Sequence, residues 1–220
     1  MNSVIGLLML VTCLRCVLWG QAGTGRSFLP PNPTYSRAVA RGEDPKEHLA
    51  KAEARYAAGG DSESSAGLLA LAAKAALEAG ENDKAKDYAL KALRIADEVA
   101  ARQAKRGWLK PRDYGAVPTV DFNANFVLGR SAILQGDVRS AERYLLASGQ
   151  TSGDAVLRTV GPNMSLALEL LKRGDDKSRE TVKEFIQEIK RLWEKPDIFD
   201  KWLLEVSAGG TPDFGSTLYN

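Results

Sequence analysis

Apolar residues recur at intervals of three and four along most of the chain, which is the signature of helices that bury one side. Around Asp121–Gly149 the period is carried by Phe122, Phe126, Ile133 and Leu134, with Val127 and Leu128 widening the stripe. Gly136 is expected to end that helix, because glycine enters the left-handed conformation cheaply. Asp137 then stands where an N-cap is needed, and Val138, Ala141, Tyr144 and Leu145 restart the period. Gly129 and Ala141 are small where two antiparallel helices must approach closely. The same reading predicts helices from Asp44-Pro45 to Gly59, over Ser64–Ala79 and over Asp83–Lys105. Further on it predicts helices from Pro162 to near Lys172, over Ser178–Lys195, and from Pro196 through Val206.

Between these segments the pattern breaks. Gly23–Glu43, with Pro30, Pro31 and Pro33, reads as a linker (23–43). Gly107–Pro118 carries Pro111, Gly115 and Pro118, which interrupt helix. Its Trp108, Leu109 and Tyr114 are expected to pack back on the helices, the alternative being an exposed partner site. Gln150–Val160 is a connection with room for a helical turn. Thr211–Asn220 is a tail (211–220) whose Phe214, Leu218 and Tyr219 suggest that it tucks against the body.

The spacing Leu128-Gly129, Gly136-Asp137, Ala141, Tyr144 resembles one tetratricopeptide (TPR) helix hairpin. A second copy places Gly80, Ala85, Tyr88, Ala92 and Leu93 at matching offsets. A third, from Gly161 to Trp193, has Leu166-Ala167 and Gly174-Asp175, but puts Arg179 where a small residue is expected. The turn glycines at 80, 136 and 174 are 56 and 38 residues apart, against roughly 34 in a regular array. The resemblance therefore implies an all-α, TPR-like solenoid (44–210) with an insertion after its first hairpin and a C-terminal capping helix. The block from Gly161-Pro162-Asn163-Met164 to Pro212-Asp213-Phe214-Gly215 also resembles an uncharacterised bacterial TPR-like group.

The resemblance also implies a mode of action. Stacked hairpins line a concave groove with their first helices. The groove positions would be Asn123, Phe126 and Arg130, with Lys74, Asn163 and Met164 in the flanking copies. Lys74 and Arg130 are donors only, and Asn123 and Asn163 can hydrogen-bond an extended backbone. That set would suit a peptide carrying an acidic group or a free carboxylate. Under the plainer reading, Asn163 caps its helix and Arg130 fills a solvent-facing position. The expected role is a protein-interaction module or scaffold. An enzyme accessory or small-molecule binder, and a spacer without ligand, stand as alternatives.

Composition narrows the rest. The chain of 220 residues is 44% hydrophobic and 26% charged, and its 30 basic and 28 acidic residues are interspersed for a net +2. It lacks the basic footprint of a nucleic-acid binder. The start is different. Val4–Leu14 is an apolar run followed by Arg15 and by the small residues Gly20-Gln21-Ala22. The run falls short of the ~20 residues that span a bilayer. It is expected to be a signal peptide (1–22) cut after Ala22, making the protein periplasmic or secreted. An uncleaved anchor or a lipidated Cys13 or Cys16 is the alternative. Both cysteines lie in this leader, so a processed chain would contain no thiol for a disulfide, a zinc site or a nucleophile. The one histidine, His48, stands beside Leu49 and is expected to pack rather than to catalyse. Asp175-Asp176, Asp197 and Asp200 sit at helix starts, where carboxylates favour the positive end. No catalytic residue, cofactor or metal follows from the sequence.

Overall fold

Alternating apolar stripes and glycine stops produce an all-helical architecture. A computed structural model describes residues 40–59, 64–105, 118–151, 153, 155–173, 175–193 and 196–219, all within the compact unit Asn32–Asn220. The expected leader (1–22), most of the linker, Trp108, Tyr114 and Gly174 lie outside the described residues. The helices are α1 (Pro45–Gly59), α2 (Ser65–Glu78), α3 (Asn82–Lys105), α4 (Pro118–Leu134) and α5 (Val138–Gly149). They continue as α6 (Ala155–Val160), α7 (Ser165–Lys172), α8 (Asp176–Lys190) and α9 (Pro196–Ser207), before a short 3-10 helix over Gly215–Tyr219. Among the described residues there is no strand.

Two hairpins, α2–α3 and α4–α5, turn in the same way. At the first turn the Gly80 N–H donates to the Leu77 carbonyl (3.1 Å) and the Glu81 N–H to the Ala76 carbonyl (2.9 Å). At the second, Gly136 donates to Ile133 (3.1 Å) and Asp137 to Ala132 (2.9 Å). Both glycines have φ of +79°, where a side chain would be strained. Asp137 also caps α5, its carboxylate accepting the Ser140 N–H at 3.0 Å. Asp175 caps α8 likewise, accepting the Lys177 and Ser178 N–H groups at 2.7 and 3.2 Å.

Small residues set the spacing within each pair. Ala66, Ala72, Ala73, Ala75 and Ala76 of α2 and Ala85, Ala89 and Ala92 of α3 are fully buried. In the second hairpin, a Cβ on Gly129 would lie 3.3 Å from the Tyr144 Cβ and 2.3 Å from a methyl of Leu166. Gly129 therefore faces α5 and α7 together, and Ala141 is fully buried. From α1 to α5 each helix packs on the next, as do α7, α8 and α9; α2 also packs on α4, and α5 on α7 and α8.

Several boundaries differ from the sequence reading. Pro118 begins α4 rather than only breaking the preceding segment, a position where its missing N–H costs nothing. The helix expected from Pro162 starts at Ser165, with Met164 at its cap position and the Met164 N–H, which no residue of its own helix satisfies, donating to the carbonyl of Thr217 (3.1 Å). The next helix is Asp176–Lys190, beginning earlier and ending earlier than Ser178–Lys195, with Asp175 as its cap. Arg179, the large residue at a position expected to be small, is accommodated by pointing its guanidinium at the Gly210 carbonyl (2.8 Å).

The C-terminal end closes on aromatic rings. Trp193, Phe199 and Trp202 pack with Phe214 of the tail, and the Phe199–Trp202 and Trp202–Phe214 centroids are 5.4 and 5.0 Å apart in edge-to-face arrangement.

Candidate functional site

The residues expected to line a groove divide between the interior and the half-exposed surface. Phe126 (6% exposed), Met164 (0%) and Asn163 (2%) are buried. The Asn163 side chain accepts the Ser165 N–H at 2.9 Å, which is the capping role the plainer reading gave it. Arg130 is 2% exposed and does not fill a solvent-facing position. Its Nη1 lies 2.8 Å from Glu169 Oε1 and donates to Ser165 Oγ at 3.3 Å. Lys74 and Asn123 are half-buried. The fold thus gathers Arg130 and Asn163 around the start of α7, and Lys74 and Asn123 stand apart from that group on α2 and α4.

A desolvated guanidinium needs a counter-charge, and Glu169 supplies it. Burial pushes the Glu169 carboxyl above its ordinary range, against the opposing pull of Arg130, Lys172 and Arg173. The pair ties the middle of α4 to α7. Nearby, Arg173 donates to the Ile133 carbonyl at the end of α4 (3.2 Å). Glu169 escapes a motif search, yet it is the one acid in the run Ser165–Lys172, SLALELLK, and an acid there needs a partner.

A second buried carboxylate does the same for α5 and α8. Glu142, 4% exposed, accepts from Arg139 at 2.9 Å and from the Ser178 hydroxyl at 2.8 Å. At the other end, Glu53 of α1 accepts from the Tyr88 hydroxyl (2.8 Å) and lies 3.2 Å from Lys84 Nζ, both on α3. Burial and that acceptor push the Tyr88 hydroxyl up to about 12, while the same hydrogen bond holds the Glu53 carboxyl below its usual range. His48 Nδ1 lies 3.4 Å from Glu78 Oε2 across α1 and α2.

Asp121, in the first turn of α4, is shifted most clearly. Burial and the like charge of Asp97 raise its carboxyl to about 6. A polar notch of about 370 Å³ lies between the α2–α3 turn and the end of α4, lined by Gly80–Lys84, Leu134 and Gln135. Among the described residues there is no group of three or more histidines, cysteines or acids placed to hold a metal ion, and no helix is long and apolar enough to cross a membrane. Comparison with family models, with curated proteins and with solved structures finds no match.

Proposed function

We propose that this chain is a TPR-like stack of helix hairpins that works as a protein-interaction module or scaffold. The observation that carries the reading is the pair of equivalent turns at Gly80 and Gly136. They share φ, hydrogen-bond pattern and a small residue (Ala85, Ala141) five positions on. Repeated hairpins of this kind present one helix of each pair on a common face, and that face binds extended segments of other proteins. The proposed contact residues are Lys74 of α2 and Asn123 of α4, which keep partial exposure. Phe126, Arg130, Asn163 and Met164 shape the face from beneath. Trp108 and Tyr114 remain a proposed second contact surface.

The export reading is retained as part of this proposal, on the strength of the apolar run before Arg15 and the small residues at Gly20–Ala22. The partner would then be an envelope or secreted protein.

The test is capture of crosslinked partners in cells by the full chain and by a Lys74→Glu/Asn123→Ala double variant. The variant should keep its helical circular-dichroism spectrum and lose the partner bands. A folded variant that captures the same set would overturn the assignment of this face.

A further inference from the structure

The segment after α9 folds back against α9 and the start of α7. It leaves α9 through Gly209 and Gly210, with Gly209 at φ +85° and the Gly210 N–H donating back to the Glu205 carbonyl (2.9 Å). Beyond this exposed turn it crosses to α9 and to the start of α7, and it makes three kinds of contact. Phe214, 2% exposed, inserts its ring against Trp202 in the aromatic cluster. The Asp213 carbonyl accepts the Trp202 indole N–H at 3.3 Å. The Thr217 carbonyl accepts the Met164 N–H at 3.1 Å, at the cap residue of α7.

The segment also prepares its own shape. Asp213 Oδ1 accepts the Gly215 N–H (2.9 Å) and the Thr217 hydroxyl donates to the Phe214 carbonyl (2.6 Å), which closes a one-turn 3-10 helix. An aromatic anchor, a backbone carbonyl three residues later and a self-capped turn are the elements of short-peptide recognition. The receiving face supplies a ring pocket and two N–H donors.

We propose that the face made by α9 and the start of α7 is a peptide-binding site, held in cis by Thr211–Leu218 as a displaceable strap. Its ligand class is a short peptide that presents an aromatic side chain and, three residues on, a backbone carbonyl within a tight turn. Occupancy in cis raises the threshold for any such peptide arriving in trans, because the tethered copy competes at the high effective concentration of a short linker. The inference stands on different observations from those behind the Lys74–Asn123 face.

The experiment keeps the chain whole until it has folded. A protease site replaces Gly209-Gly210, the purified protein is cut, and the cut sample is diluted and filtered. The strap should leave on dilution, the remaining body should stay helical, and a fluorescent peptide of residues 211–220 should rebind and raise polarisation. A Phe214→Ala peptide should bind about tenfold more weakly or worse, as expected for removing a buried ring. The uncut chain should bind the labelled peptide far less than the cut and emptied one. A strap that stays through repeated dilution, or a body that unfolds once it leaves, would show a permanent part of the core and overturn the proposal. Equal binding of the two peptides would overturn the aromatic anchor.

Discussion

Asp121 shows how one side chain makes stability depend on pH. The folded chain holds its proton to about pH 6, whereas an ordinary aspartate releases it near 3.8. The native state therefore binds more protons than the unfolded state between those values. The contribution is fully present below about 3.8 and is lost as pH rises through 6, so the ionised group is a cost at neutral pH. Asp121→Asn should raise the melting temperature at pH 7.5, by on the order of 1 kcal/mol in stability after solvent screening, and give no gain at pH 4. Thermal melts at the two pH values check this, and equal gains would contradict it. The Arg130–Glu169 pair makes the opposite kind of residue-scale claim. Glu169→Leu strands a buried guanidinium and should cost about 3 kcal/mol in urea unfolding. Adding Arg130→Met should restore most of that loss, since an apolar pair removes both desolvation penalties. A double variant as unstable as the single would show that the pair itself is not what Arg130 needs.

At the level of helices and turns, the sequence was legible where one residue type has one physical reason to be present. Gly80 and Gly136 require positive φ, Asp137 and Asp175 supply caps, and these positions placed the turns. Proline was ambiguous: Pro118 both ends what precedes it and opens α4. The start of α7 was misplaced because Pro162 reads as its first residue, whereas Pro162 and Asn163 precede the cap at Met164. The burial of Arg130 was illegible for another reason. Its partner lies on another helix, and a pattern of apolar positions does not say which helix covers which face. The close approach at Gly129 was legible from its size alone. Gly129→Val should cost about 1–3 kcal/mol, because Tyr144 and Leu166 must move. Denaturant titration checks it, and an unchanged midpoint would mean that α5 and α7 yield more readily than their packing implies.

For the molecule as a whole, contacts between neighbouring helices mean that stability need not be shared evenly along the chain. The body from α4 to α9 holds the large buried side chains Phe185, Phe199, Ile133, Leu145 and Leu170. In α1 only Leu49 and Ala52 are buried, Tyr56 packs partly buried against the core, and the ties at His48 and Glu53 are polar. Hydrogen exchange should therefore find α1 losing protection first and α8 last, and uniform protection would argue for a single cooperative unit.

The alanine contact between α2 and α3 carries a consequence of its own. A surface built from methyl groups has little left to lose and no room to grow. Trimming Ala73 or Ala85 to glycine removes one carbon, whereas valine at either position must force two helices apart. Across a saturation library the first hairpin should refuse gain more sharply than loss, and the large-ringed far end should refuse loss most sharply. Such lopsidedness would record, in survival alone, which half of the protein is held by closeness and which by bulk.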